Sequence, residues 1–517
     1  MPSFPALSMS MLSRTALCLL ATGLLDGQEA AAPLRLTHEQ ALQLGVTNLL
    51  QTRIARELRE EIRQVPEFER GIFDWQLSAN AFTGKLEYGD LNPRTSGLNN
   101  LYLTSSSTTL EARAAGLGLS KLTPWGGSFN FTMNSGFNAF AVQQTNQTLP
   151  TGPAASLGYD TLNPYSGRMS LSFSQPLLKG FGPSVTQAKL RAALEEAKGA
   201  DDTFRQRLAE ILTSVDGLYW DLVYARQNLE NKKLALELSR KQLEEDKERV
   251  NSGMLARIEL PAVEATVVER EKQLYAAQAR LKNAETALVA RLFPYGDKPE
   301  AVELSDSPEM GPEPVALKKA LEIAEAHRPE LSAAGYGLKA RQIQETAAKN
   351  ATLPQLDTQV AVNRGSNSRP DVSGVWDDVS QNRYPGYYVG LAFAFPLENH
   401  AARARHLQAK AATRSAEYLL KDIQTSVALD VQQAYTDLTS ARKEAEAADK
   451  ALVFRTQSLE AEMAKLENGM STSFFVLQRQ DELDQARAAH LEARIAVEKA
   501  RTGLERAMGT LVDPYAR

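Results

Sequence analysis

Apolar residues recur at every seventh position through Leu208, Val215, Leu222, Leu229, Leu236, Leu243 and Val250. The series stops at Asn251-Ser252-Gly253 and resumes through Leu260, Val267, Leu274, Leu281 and Leu288. It returns 216 positions later, as Gly253 to Gly469 shows, in Val431, Leu438, Ala445, Leu452, Leu459 and Leu466, then past Asn468-Gly469 in Val476, Leu483, His490, Val497 and Leu504. Tyr219-Trp220-Asp221-Leu222 falls on Tyr435-Thr436-Asp437-Leu438 at the same offset. One register held through a break marks an internal duplication. A sustained seven-residue repeat predicts helices that wind around other helices.

Elsewhere the period is different. Residues 34–65 read as one helix closed by Pro66, with Thr37 as N-cap, Gln40 three residues on, and Leu42, Val46, Leu49 and Leu50 at helical spacing. Its counterpart starts near Val315 and carries Leu317, Leu321 and Ile323, with Pro329 marking a kink or break. Beyond Pro66 the period falls to two: Phe73, Trp75, Leu77, Ala79 and Ala81 alternate with Asp74, Gln76, Ser78 and Asn80. The same alternation returns at Met169-Leu171-Phe173, at Leu356-Val360-Val362, and at Tyr387-Val389-Leu391-Phe393. Strands of about ten residues, apolar on one face and small or polar on the other, suit a water-filled membrane barrel. A soluble sandwich edge gives the same alternation; Trp75, Tyr384, Tyr387 and Tyr388 favour the membrane.

Residues 84–165 are rich in Ser, Thr, Asn and Gly, and contain a hairpin with a strand over 110–122, a turn at Thr123–Gly127, and Phe129, Phe131 and Met133 beyond it. The equivalent insert at 364–386 is shorter. Each second strand runs through a proline, at Gln175-Pro176 and Phe395-Pro396, into a long helix. From 184 to 250 only Gly199 and Gly217 interrupt it, so the helix would reach ~100 Å.

Composition removes several function classes. The 58 Lys+Arg against 63 Asp+Glu of the 517-residue chain argue against a nucleic-acid surface. No apolar stretch after residue 30 approaches the ~20 residues of a spanning helix, so any crossing is by strands. Arg14, the apolar run Ala16–Leu25 and Ala30-Ala31-Ala32 read as an export leader, with Met9 or Met11 as alternative starts. Pro33 disfavours a cut after Ala32, and a buried N-terminal helix is the alternative. The only cysteine, Cys18, lies in that leader, and Leu17 before it is too large for a lipoprotein signal. The mature chain would hold no disulfide. The expected organisation is a signal peptide over 1–32, a first repeat over 33–295, a Pro-rich linker over 296–314 and a second repeat over 315–517.

The ordered set of strand, proline, long coiled helix, glycine turn and returning helix, in duplicate, resembles the TolC family of outer-membrane efflux proteins. Gln175-Pro176-Leu177-Leu178-Lys179-Gly180-Phe181-Gly182, Tyr219-Trp220-Asp221-Leu222 and Arg328-Pro329-Glu330-Leu331 look like family sequence. The resemblance implies a mainly α fold with membrane β-strands: a homotrimer whose β-barrel continues into a periplasmic α-barrel. Four strands per chain would make a barrel of twelve, with the 110–140 hairpin inside or outside it. The implied function is a passive exit duct that meets outer-membrane lipid, a periplasmic adaptor and, indirectly, an inner-membrane RND, ABC or MFS pump.

The two turns, Val250–Leu260 and Leu466–Val476, are the candidate sites. Gly253 and Gly469 can end helices in the left-handed conformation, which is structural reason enough for both. By the resemblance, Val250, Asn251, Ser252, Gly253, Met254, Leu255, Leu466, Asn468, Gly469 and Met470 form the periplasmic tips that dock the adaptor. Family members place acidic residues six and nine positions after the second glycine; here those are Phe475 and Gln478. Six after Gly253 stands Glu259, which fits a family acid, whereas Leu466 and Ser471 replace the Tyr and Arg that can face it. A ring of Phe475, with Glu259 and Gln478, would give an apolar constriction. Alternatively, Phe474 and Phe475 pack the start of the returning helix. The run Glu244–Arg249 reads as a solvated face.

No catalytic, cofactor or metal site is expected. His38, His327, His400, His406 and His490 are scattered, and Gly180-Phe181-Gly182 is too short for a nucleotide loop. The rival reading is a soluble coiled-coil scaffold, exported or cytosolic, which the strand segments do not suit.

Overall fold

The computed structural model describes residues 34–95, 101–146, 164–253, 256–294, 299, 302–366 and 369–515. The expected leader lies outside the described residues. The chain opens with β1 (Leu34–Leu36), α1 (His38–Asn48) and α2 (Leu50–Arg70). Thr37 caps α1 through a capping box with Gln40, as its spacing predicts. The helix expected over 34–65 is instead two, broken at Leu49, whose backbone is extended (φ −63°, ψ 132°) and whose side chain is buried in the core. Pro66 does not close α2. Proline forfeits one N–H bond but holds its own φ helical, so one more turn follows before Gly71 donates to the Glu67 and Phe68 carbonyls. Phe73 falls in a short 3₁₀ turn rather than in the strand that follows.

Four strands come next: β2 (Gln76–Thr95), β3 (Leu101–Leu122), β4 (Ser128–Asn146) and β5 (Tyr165–Pro176). The short α3 (Pro183–Thr186) leads into α4 (Ala188–Asn251), and α5 (Leu260–Leu292) returns beside it. β6 (Val302–Leu304), within the proline-rich segment, pairs in parallel with β1. The second half holds α6 (Leu317–His327), α7 (Pro329–Asn350), β7 (Gln355–Gly365), α8 (Val372–Ser380), β8 (Tyr384–Ala394), α9 (His400–Glu467) and α10 (Ser473–Met508). At 64 and 68 residues, α4 and α9 are ~100 Å long. Their ends, Asn251 and Glu467, stand 216 apart, as the duplication requires.

The strands form one antiparallel sheet in the order β2-β3-β4-β5-β7-β8. Among the described residues the sheet thus holds six strands, where four per chain were expected. The hairpin β3–β4 stands inside the sheet because its turn, Thr123–Gly127, lies at the helical end, so β3 bonds back along β2 and β4 along β5. Register places Leu77, Leu117, Phe131, Leu171, Val362 and Tyr387 on one face. Ser78, Asn130, Ser172, Gln359 and Gly390 share the other. The short helix α8, absent from the sequence reading, fills the 364–386 insert. Its Val375 is fully buried against Gly167, and its Asp378 accepts from Arg369 (2.7 Å).

The Gln175–Gly182 motif is the joint between sheet and helices. Gly180 (φ 84°) and Gly182 (φ 93°) take conformations that favour glycine. Gly182 N–H and Gln175 Nε2 both donate to the Trp125 carbonyl (3.1 Å each), while Gly180 N–H donates to Asn350 Oδ1 (2.7 Å). The β3–β4 turn is thereby bonded to the strand-to-helix crossing.

Below this joint the helices form four columns. Two are α4 and α9. In the third, Arg291 near the end of α5 bonds Gln51 in the first turn of α2 (2.8 Å). In the fourth, the end of α10 abuts the start of α7: Arg328 donates to the Ala507 carbonyl (3.2 Å) and pairs with Asp430 on α9 (3.0 Å). Those contacts account for the Arg328-Pro329-Glu330 stretch. Where the columns change helix, β1, β6 and α1 pack on α4 in the largest core, which holds Leu208, Leu212, Val215, Leu222 and Leu288. Tyr219 is fully buried there, donating to Asp306 (2.6 Å), and His38 contacts Asp216 (2.7 Å).

Candidate functional site: the hairpin tips

Both long helices end on a left-handed glycine. After α9, Gly469 (φ 71°) donates to the Leu466 carbonyl and Met470 N–H to the Lys465 carbonyl, the paired bonds of a Schellman cap. After α4, Gly253 (φ 76°) donates to Val250. Val250, Asn251, Ser252, Asn468 and Met470 surround these turns; Met254 and Leu255 lie outside the described residues. Leu466 packs inside its own hairpin with Leu459, Val476 and Leu483. Ser471 donates to Glu462 (2.5 Å), and this bond, aided by Lys465, holds the Glu462 carboxyl below the usual carboxylate range. Neither residue reaches Glu259, which has no ion-pair partner among the described residues.

The start of α10 buries Ser473, Val476 and Leu477. Phe474 and Phe475 are 63% and 47% exposed in the protomer, edge to face with centroids 5.7 Å apart. Gln478 is exposed beside them. A groove of about 740 Å³ runs between the start of α5 and α10, lined by Ile258, Glu259, Val263, Phe474, Leu477 and Gln478. The structure thus brings Glu259 and Gln478 to one groove.

The residues that tie the two hairpins together escaped the sequence reading. Asp246, in the run expected to be solvated, is fully buried and accepts from Ser473 (2.8 Å) and Gln242 (3.0 Å). Higher up, Asp484 on α10 meets Lys232 of α4 (2.5 Å) and Arg270 of α5 (3.0 Å), and Arg270 also pairs with Asp481 (3.1 Å). The signal was present: Ala225, Lys232, Ser239 and Asp246 are seven apart, a second and partly polar row of α4 turned toward α10.

Among the described residues there is no group of His, Cys, Asp and Glu that could hold a metal, and no helix long and apolar enough to cross a membrane. The sheet, by contrast, presents one apolar face. Its apolar face ends near the joint in Trp75, packed edge to face on Phe129 (5.7 Å) under Lys121 (5.0 Å), an arrangement suited to a membrane boundary.

The sequence profile of the outer membrane efflux protein family matches residues 138–292 and 320–510. The chain belongs to that family. The pyoverdine export outer membrane protein OpmQ of Pseudomonas aeruginosa is 23% identical over 369 residues, covering 69% of this chain and 73% of its own. Among solved structures, CusC superposes with a TM-score of 0.65 at 14% identity, covering 94% of this chain and 95% of its own. The open-state outer membrane channel MtrE of Neisseria gonorrhoeae gives 0.63 at 17% identity, with 92% and 89% covered. These likenesses establish the TolC-like fold, and family membership locates the chain in the outer membrane with its helices in the periplasm. The apolar sheet face then meets lipid, and the Ser, Asn, Thr and Gly face lines the lumen.

Proposed function

We propose that this protein is the passive outer-membrane exit duct of a tripartite efflux or type I secretion system. One observation carries the reading: a sheet with one lipid-compatible and one polar face runs, through a glycine joint, into ~100 Å helices that end in paired tips. Such a chain performs no bond chemistry. It supplies a wall, and cargo moves through by virtue of the pump beneath it.

The working form is a homotrimer, so that four helical columns per chain make a barrel of twelve. The tips around Gly253 and Gly469 dock a periplasmic adaptor, which links them to an RND, ABC or MFS pump. Glu259, Phe475 and Gln478 border the entrance, and Phe475, half exposed in the protomer, supplies an apolar ring. Conductance of Phe475→Ala trimers in a planar bilayer tests the ring: a rise is expected, and an unchanged value removes it. A soluble, non-conducting protein recovered without detergent would support the scaffold reading instead.

A further inference from the structure

Among the described residues the six-stranded sheet has two unpaired edges, β2 and β8. Within a bilayer neither edge can stay open, because hydrocarbon offers no partner for backbone N–H and C=O groups. All five strand pairings are antiparallel, so β8 runs opposite to β2. The β8 edge of one copy can therefore pair antiparallel with the β2 edge of the next and continue the alternation without a defect.

We infer that the membrane wall is an eighteen-stranded barrel, closed by β8–β2 pairing between three copies, and not a ring of twelve. This rests on the trimeric reading above. Two observations support it beyond the strand count. The face pattern holds through the inserted hairpin: Leu117, Leu119, Phe129, Phe131 and Met133 share the side of Leu77 and Leu171, whereas Gly116, Gly118, Asn130 and Thr132 share that of Asn80 and Ser170. A hairpin lying outside the wall would have no use for one lipid-compatible face. The joint agrees: the β3–β4 turn is bonded through Trp125 to Gln175 and Gly182, at the crossing where wall becomes helix.

The dimensions agree as well. Strands ~4.8 Å apart and tilted ~40° close at a backbone radius of about 18 Å for eighteen and about 12 Å for twelve. Twelve helical columns ~9 Å apart form a ring of about 17 Å. Eighteen strands continue the helical wall without a step, so the membrane section does not narrow the duct, and selection by size falls to the tips. Glycines 116 and 118 leave room on the lumen side, where an added Cβ would strike Asn134 and Ser78.

Electron cryomicroscopy of the full chain in lipid nanodiscs counts strands directly. Three copies with eighteen strands, β8 beside a neighbour's β2, is the expected result. Three copies with twelve strands and the β3–β4 hairpin off the wall would overturn the inference while leaving the trimer intact. Any other number of copies would overturn the trimeric reading, and the count of eighteen with it.

Discussion

Replacing Asp484 by alanine should unlock the two hairpins from each other near the tips. Asp484 is 5% exposed and Arg270 4%, with Lys232 closing the cluster at 2.5 Å. Removing one partner of a buried pair strands the other charge and costs about 3–5 kcal/mol. Arg270 keeps Asp481, itself half exposed, so the lower end applies, about 3 kcal/mol. At ~1.4 kcal/mol per factor of ten, openings that separate α10 from α4 and α5 become roughly 100-fold more frequent. Hydrogen exchange of the α10 amides between residues 477 and 490, in the lipid- or detergent-held protein, reads that frequency. The companion variant Lys232→Met/Arg270→Met/Asp484→Leu removes the three buried charges, leaves Asp481 half exposed to water, and should recover most of the protection, because apolar replacement of a buried cluster is often neutral. Unchanged exchange in Asp484→Ala refutes the lock. Equal loosening in the single and triple variants refutes the charge argument and leaves packing as the cause.

Further outcomes are expected. Gly469→Ala should cost about 1–2 kcal/mol of thermal stability for a left-handed alanine, since nothing stands within 4 Å of the added Cβ. Gly509→Ala should cost more, because its Cβ would sit 2.7 Å from the His327 carbonyl oxygen; equal melting temperatures would contradict this. Asp449 is held below the ordinary carboxylate range by its bond to Arg494 and the nearby Arg494 and His490 charges. Its folded pKa is depressed, so its stabilisation is present above the unfolded value of ~3.9 and is lost as pH falls through the folded value. Wild type should therefore exceed Asp449→Asn in melting temperature above pH 4, with the difference vanishing in more acid solution. Tyr219→Phe leaves Asp306 with one donor fewer and should cost about 1.5–3 kcal/mol in unfolding free energy, as a lost bond to a charged group. Burial and the Asp306 bond both raise the phenol's pKa, so spectrophotometric titration should find Tyr219 un-ionised until the fold opens.

The helical part was legible because its signal is local and repeated. Leu208, Val215, Leu222, Leu229 and Leu236 are buried as a seven-residue period demands, and so are Val431, Leu438, Ala445 and Leu459. Thr37 and Gln40 made their box from a four-residue pattern. What escaped depends on partners distant in sequence. Whether β3–β4 joins the wall is a matter of which strand lies beside which, and the alternation within a strand does not state it. The β1–β6 pairing joins Leu34 to Val302 across the whole first repeat. Asp246 sits among charges whose solvated look was correct for Glu244 and Lys247, an i,i+3 pair at the surface, and wrong for the one position facing Ser473. At the tip, glycine spacing located the turns, but the exposure of Phe474 and Phe475 depends on which side of α10 the partner hairpin occupies.

These strands and helices should behave as one continuous duct. Protein extracted from outer membranes should have the mass of three mature chains and pass ions across a planar bilayer. A soluble, non-conducting dimer would contradict it.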